Sequence, residues 1–318
     1  MSKTSNKLLK ALLFVGTAAS AMYLFNKYIS DFSTSKNKLL IKKDSYFTWK
    51  FGRVYYEKSG TGAPLILIHD YSHCGSSYEW YKIKESLSES YTVYTIDLLG
   101  CGRSDKPQIN YTNFLYVQLL NDFIKEIIQK DNVSIIASGF STSIAVMTSV
   151  YVQNFIDKLV LINPTSINNL SKECTQTEKL FKKILELPLL GTFIYNLLTT
   201  KYSLDKQITE NLIHNPFLID HDMIDTYYEA AHCGKGNGKY VLSSYLSKYM
   251  NTNISHALKQ LDNDILIIGG SFESNINDII EEYQTVKPSI ESDIIQDTKH
   301  LPHFEKPIAL LNRLNNFL

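Results

Sequence analysis

An excess of charge of either sign is missing from this chain: across 318 residues, 32 lysines and arginines offset 32 aspartates and glutamates. Without a basic field there is no electrostatic footprint for a phosphate backbone, which argues against a nucleic-acid partner. Cysteine is scarce too. Cys74, Cys101, Cys174 and Cys233 stand far apart and form no Cys-x-x-Cys pair, which excludes the common zinc spacings and a disulfide framework. They read as structural thiols, and nothing beside Cys101 would activate it as a nucleophile. A full membrane-spanning run is lacking near the N-terminus: Ala11 to Phe25 gives fifteen uncharged, mostly apolar residues, a few short of the ~20 that cross a bilayer.

Lys3, Lys7 and Lys10 precede that run and Lys27 follows it. Lysines at both ends can snorkel and extend its reach, so residues 1–27 read as a membrane anchor. Ala19-Ser20-Ala21 also fits a small-residue cleavage site. A removed signal peptide is therefore the competing reading, and a soluble amphipathic helix the third. The expectation is a membrane-anchored protein, or a secreted one if the segment is cleaved. Residues 28–45, rich in Lys, Ser and Asn, read as a tether.

From residue 46 onward, short apolar runs alternate with helical spacing. Phe47 to Phe51 and Arg53 to Lys58 read as two antiparallel edge strands joined at Gly52. Pro64 to Ile68, Tyr91 to Ile96, Val133 to Ala137, Lys158 to Ile162 and Asp264 to Gly270 read as buried strands. Tyr78 to Ser88 and Asn113 to Gln129 carry helical spacing between them. Such alternation predicts an α/β fold, with a parallel sheet covered by helices on both faces. From 166 to 262 the patterns are helical and no parallel strand stands out, so this stretch reads as an inserted helical lid between core segments 46–165 and 263–318. A chain of this length buries a sizeable core and fits one domain with an insertion.

The strand Val133 to Ala137 runs into Ser138-Gly139-Phe140-Ser141-Thr142-Ser143 and then into a helical run from Ile144. A serine that attacks a carbonyl must be held out on a sharp strand-to-helix turn with small neighbours. Ser141 suits that place, with Gly139 as the first glycine of a G-x-S-x-G pattern and Ser143 in place of the second. Three further segments fall in a compatible order. Pro64 to Tyr71 breaks into a loop of small residues that can present an oxyanion donor. Tyr91 to Pro107 ends its strand in Gly100-Cys101-Gly102, and Asp297 to Pro307 brings His300 and His303 late in the chain, after the serine.

Together these four segments resemble the α/β-hydrolase fold family, in its lid-bearing branch of esterases, lipases, C–C bond hydrolases, epoxide hydrolases and dehalogenases, over roughly residues 46–318. The resemblance implies a mostly parallel central sheet with helices on both faces and a helical lid. It implies Ser141 as nucleophile and His300 as base, in the register set by Glu305 and Pro307, with His303 in a packing or hydrogen-bonding role. The acid follows the strand that ends at Gly269-Gly270, where Glu273 stands, and a glutamate there orients the histidine as an aspartate would. Asp278 is the nearest alternative but falls within the helical run Ile276 to Tyr283, and Asn163, at another position that carries the acid in some members, is an amide. The backbone N–H groups of Thr142 and Tyr71 are the expected oxyanion donors.

The sequence departs from the family pattern in places. His69-Asp70 stands where His-Gly is usual, and a carboxylate beside an oxyanion opposes its charge unless it turns away. Lys299 precedes the base and is expected to lower its pKa by like charge. An aspartate nucleophile at the elbow is excluded on this reading, because position 141 is serine.

The expected function is hydrolysis of a small ester, thioester, amide or C–C substrate by Ser141, activated by His300 and oriented by Glu273, with no metal or organic cofactor implied. Leu185, Leu187, Leu189, Leu190, Phe193, Tyr195 and Leu197 would wall an apolar acyl or ring substrate, or else pack the lid onto the core. Tyr227, Tyr228, Glu229 and His232 would line the pocket or form an interface. The alternatives are a non-catalytic ligand- or partner-binding module on the same scaffold, and an intracellular C–C bond hydrolase or acyltransferase.

Overall fold

Eight strands form one sheet in the computed structural model, which describes residues 3–39, 45–153 and 155–318. They are β1 (Tyr46–Trp49), β2 (Gly52–Ser59), β3 (Ala63–Ile68), β4 (Tyr91–Ile96), β5 (Val133–Ser138), β6 (Ile156–Ile162), β7 (Asp264–Gly270) and β8 (Glu291–Ile295). Their spatial order is β1-β2-β4-β3-β5-β6-β7-β8. The β1–β2 and β2–β4 pairs are antiparallel and every pair from β4 to β8 is parallel. The helices are α1 (Lys3–Phe32), α2 (Asn113–Phe123), α3 (Ser141–Tyr151), then α4 (Gln176–Leu185), α5 (Leu190–Leu198), α6 (Lys201–Gln207), α7 (His221–His232) and α8 (Gly238–Leu246) of the insertion, and α9 (Ile276–Val286) and α10 (Pro307–Phe317). Shorter helical turns lie between them.

The central strands are apolar on both faces because both faces are covered. Ile66, Ile68 and Ile135 point to one layer with Leu120 and Phe123 of α2 and Ile144 of α3, whereas Leu65, Leu67 and Ile136 point to the other with Trp80 and with Leu310 and Leu314 of α10. β2 is paired on both sides, so β1 alone is the antiparallel edge. At the opposite edge β8 exposes Glu291, Ser292 and Asp293 and buries only Ile295, which explains why no apolar run announced it. The Tyr78 to Ser88 helix is split into a tight turn, Ser77–Trp80, and a short helix, Lys84–Ser88.

The chain leaves β3 toward β4 on one side and β5 toward β6 on the other, so β3 and β5 meet at the switch point where open α/β sheets place their ligands. Ile68 pairs with Ala137 in that register, which brings the residues just beyond, His69-Asp70 and Ser138-Gly139, side by side.

The insertion is tied down onto these strand ends. Leu204 of α6 and Met223, Tyr227 and Ala231 of α7 pack with Cys74, Leu301 and Phe304 from the loops below. Leu185 and Tyr195 are fully buried while Leu187, Leu190 and Leu197 are exposed, so this segment packs the insertion rather than walling a pocket. Burial pushes the Cys74 thiol up to about 11 and that of Cys101 up to about 12.

The stretch read as a tether begins inside α1, which continues to Phe32. Beyond it, Lys36 and Lys38 pair with Asp225 and Asp222 of α7, and Glu229 accepts the Lys38 and Leu39 N–H groups. Residues 40–44 lie outside the described residues. Phe25 stacks edge-on against Phe193 at 5.4 Å, and the Asn26 amide donates to the Leu189 carbonyl at 3.1 Å. The C-terminal half of α1 therefore docks on the insertion, while Leu12, Leu13, Phe14 and Val15 are exposed. Among the described residues no helix is long and apolar enough to cross a membrane.

Candidate active site

The strand-to-helix turn after β5 is sharpest at Gly139, whose φ is +54°. α3 begins two residues later, at Ser141. Thr142 N–H and its hydroxyl both bond the Gly139 carbonyl, at 3.3 and 2.7 Å, as residues entering a helix do. The apex from which an elbow side chain rises is thus position 139, and it carries none. Ser141 is fully buried, and its hydroxyl donates to the His69 carbonyl at 2.7 Å. It makes no hydrogen bond to His300. The amide after the apex is that of Phe140, not Thr142, and it points at the Asp70 carboxylate: Phe140 N–H donates to Asp70 Oδ1 at 2.7 Å.

His300 and Glu273 do come together, with Nδ1 3.3 Å from Glu273 Oε2. The contact is an ion pair without hydrogen-bond alignment. The other ring nitrogen, Nε2, lies 3.3 Å from Asp70 Oδ2. A carboxylate therefore stands where a serine hydroxyl was expected.

Several groups hold this line in place. Glu273 sits in a turn closed by its N–H to the Gly270 carbonyl at 3.0 Å, and the Phe272 N–H bonds the Thr298 carbonyl at 2.8 Å. Asn163, at φ +44°, donates from Nδ2 to both the Lys299 and His300 carbonyls at 2.9 Å and accepts the Gly270 N–H at 2.9 Å. Glu305 accepts the Lys299 N–H at 2.7 Å and, on its other oxygen, the N–H groups of His214 and Asn215. The His300 loop is thereby fixed to β6, β7 and the insertion together.

Asp70 is fixed from below. Its N–H donates to Glu79 at 3.0 Å, and the second Glu79 oxygen lies 3.1 Å from His303 Nε2, both side chains being buried. His69 Nε2 accepts the Leu98 N–H, which leaves Nδ1 to donate to the Asp70 carbonyl at 2.7 Å. Asp97, at the end of β4, accepts the Ser77 N–H at 2.7 Å and the Arg103 side chain at 2.8 Å. Burial opposes its charge, but Arg103 holds Asp97 down to about 2.

Burial also works against a charged His300, yet the Asp70 and Glu273 carboxylates outweigh it and raise the ring to about 10. Lys299 does not lower it, because its ammonium turns away to the Glu210 carbonyl. His300 is an imidazolium at neutral pH, flanked by two carboxylates.

Asp70 borders a cavity of about 290 Å³, with Tyr71, His73, Leu242, Tyr245 and Leu246 among its other walls. Burial keeps His73 neutral, at about 4, and pushes Tyr245 up to about 12. The Tyr71 hydroxyl is buried against the Val241 carbonyl at 3.5 Å, and its backbone N–H has no hydrogen-bond partner among the described residues. A larger hollow of about 510 Å³ runs along His214, Asp297 and Glu305, and neither Asp70 nor His300 lines it. Of these two cavities, only the smaller is bordered by Asp70.

The family model for the alpha/beta hydrolase fold matches residues 63–307. The chain belongs to that family. Its relatives include the 2-hydroxy-6-oxo-6-(2'-aminophenyl)hexa-2,4-dienoic acid hydrolase of Metapseudomonas resinovorans, 32% identical over 114 residues, which are 35% of this chain and 39% of that protein. Mouse mesoderm-specific transcript protein is 24% identical over 86% of this chain and 85% of its own. The chain thus spans well under half of the first relative and most of the second. Among solved alpha/beta hydrolases, a serine hydrolase of carbazole degradation superposes with a TM-score of 0.70 at 20% identity, covering 86% of this chain and 96% of the other. The epoxide hydrolase CorEH does so with a TM-score of 0.69 at 18% identity, covering 86% and 96%. At these identities the likeness is one of fold.

Sequence reasoning took Gly139 as the first glycine of the elbow and Asp70 as a departure beside the oxyanion; the structure puts Gly139 at the positive-φ position of the turn and Asp70 against His300. A signal existed: moving the elbow pattern back by two gives Ala137-x-Gly139-x-Ser141, small residues around an apex, and the family's His-Gly had become His69-Asp70 at the neighbouring strand end.

Proposed function

We propose that this alpha/beta hydrolase cleaves a small, largely apolar molecule in the cavity beside Asp70, with His300 carrying the proton and Glu273 orienting it. One observation carries the reading: the His300 ring lies 3.3 Å from each of two carboxylates, one of which borders the cavity. A half-buried imidazole oriented by an acid at the strand ends is the proton-transfer half of a hydrolytic site. The serine version, with Ser141 attacking an ester-like carbonyl, would need its hydroxyl to leave the His69 carbonyl and displace Asp70 from His300. Nothing in the arrangement favours that.

The test is a substrate screen: p-nitrophenyl esters of rising chain length, then small epoxides and haloalkanes, run on the wild type, His300→Ala and Ser141→Ala. Turnover lost in His300→Ala and retained in Ser141→Ala is the expected pattern. A second reading, a non-catalytic binding module, is favoured by the missing elbow side chain at Gly139. It predicts ligand binding in the cavity with no turnover in any of the three proteins.

We also propose that the protein sits at a membrane surface through α1. The four exposed apolar residues Leu12 to Val15, with the exposed lysines Lys7 and Lys10 just before them to meet anionic headgroups, support it.

A further inference from the structure

We propose that Asp70 is the attacking group of this site, and that its substrate is a small alkyl electrophile, a strained cyclic ether or an alkyl halide, rather than a carboxylic ester. The inference rests on the hydrolytic reading above and adds which atom attacks and on what.

The geometry relocates the nucleophile from one strand end to its neighbour. The elbow after β5 offers no side chain, and the Asp70 carboxylate fills that volume from the end of β3: a Cβ at position 139 would stand 2.2 Å from Asp70 Oδ1 and 2.3 Å from its Cγ. Oδ1 is committed to the Phe140 N–H at 2.7 Å. Oδ2 lies 3.3 Å from His300 Nε2, and the Asp70 side chain borders the cavity. One oxygen is thus pinned by a backbone donor while the other lies beside the histidine, on a side chain that borders the cavity, and an attacking carboxylate needs such an arrangement.

The chemistry of a carboxylate then selects the substrate. Attack on an acyl carbon yields an anhydride, and the expelled alkoxide is the stronger nucleophile, so the step runs backward. Attack on a saturated carbon yields an alkyl ester and goes forward. Asp70 Oδ2 donates an electron pair to carbon, and the carbon–halogen or strained carbon–oxygen bond breaks, its pair leaving with the halide or alkoxide. Esterification removes the Asp70 charge. His300 then faces Glu273 alone, and its hold on the proton weakens. The proton passes to the alkoxide, or to solvent when halide leaves. Neutral His300 next takes a proton from water as the water oxygen adds to Cγ of Asp70, with the oxyanion on the Phe140 N–H. Collapse expels the product alkoxide, which takes the remaining acid proton, and Asp70, His300 and Glu273 return to their starting charges. The net change is one water added per epoxide, or one water in and one hydrogen halide out.

The bookkeeping of oxygen gives the test, because solvent oxygen ends on Asp70 and the product keeps an oxygen from the protein. The full-length protein is run for a single turnover in ¹⁸O water, in separate arms with styrene oxide and with 1-bromobutane, and the peptide that carries Asp70 is weighed. The expected result is one ¹⁸O in Asp70 in at least one arm, and in His300→Gln a substrate-sized adduct that persists on the same residue. Asp70→Asn should lose at least about 1,000-fold in turnover. Turnover with no label on Asp70 in any arm overturns the inference and leaves the hydrolytic reading standing, as does hydrolysis of esters alone. No turnover of any ester, epoxide or halide by the folded wild type overturns both.

Discussion

The carboxylate of Asp70 stands where a side chain on Gly139 would be, with 2.2 Å between Oδ1 and an ideal Cβ at the apex of the turn. The two positions are neighbours because β3 and β5 are paired with Ile68 opposite Ala137. The same space can hold a carboxylate from one strand or a side chain from the other, but not both.

Gly139→Ser should therefore destabilise the protein by about 1–3 kcal/mol, from the positive φ and the collision together. Removing the carboxylate as well, in Gly139→Ser/Asp70→Gly, frees the space, so the double variant should be more stable than the sum of the single changes by at least about 0.5 kcal/mol. Urea denaturation of the four proteins measures this coupling. With His300 and Glu273 still in place, the double variant should also bind a fluorophosphonate covalently through the hydroxyl introduced at position 139, whereas the wild type should not label. Additive stabilities would mean that the two positions do not compete.

His300 gives a pH signature whose sign follows from its partners. The folded ring titrates at about 10, above the ordinary histidine value of about 6.5. A raised folded pKa contributes stability that is fully present below the unfolded value and fades as pH rises through the folded one. The stability difference between wild type and His300→Gln should thus be largest near about pH 6 and shrink steadily toward about pH 10.5. Denaturant midpoints across that range check it. A difference that grows with pH would mean that His300 is not held as a cation.

Asn163 is a positioning residue. Its amide spans the Lys299 and His300 carbonyls on one side and the Gly270 N–H on the other, each at 2.9 Å. Asn163→Asp keeps the acceptor but turns two donated bonds into repulsion, which should cost about 1–3 kcal/mol of stability. Asn163→Ala also loses the bonds without adding charge. If the amide acts through His300, both variants should lower kcat more than they raise KM, and the ¹⁵N shifts of the His300 ring should move. Unchanged ring shifts in a folded variant would leave Asn163 a purely structural clamp.

The sheet was legible because its central strands are covered on both faces: Leu65 to Ile68 and Val133 to Ala137 have no polar interruption beyond Ser134. β8 was not, since an edge strand needs only Ile295 inside. His300 and Glu273 were readable from their spacing to Glu305-x-Pro307 and Gly269-Gly270, and they meet. The positive-φ position of the turn is Gly139 and not Ser141, which the sequence could not show because a glycine and a serine two apart both satisfy a small-residue pattern. Asp70 was read as a hazard because its partners, the Phe140 N–H and His300, come from segments 70 and 230 residues away. Sequence order carries charge and size; which strand ends are adjacent is a property of the sheet order.

The N-terminal helix offers a test independent of the chemistry. Leu12, Leu13, Phe14 and Val15 follow one another, so their exposed side chains cover most of the helix circumference rather than one stripe. The docked half near Phe25 and Asn26 fixes that apolar turn beyond the body of the protein. Burying one such side chain in lipid is worth about 1.5–3 kcal/mol, so Leu12→Asp/Phe14→Asp should weaken binding to vesicles of phosphatidylglycerol and phosphatidylcholine by well over about tenfold. Raising salt should weaken the wild type as well, through Lys7 and Lys10. Co-sedimentation of the full chain measures both effects. Equal partitioning of wild type and double variant, or none for either, would remove the membrane surface as the place where this helix rests.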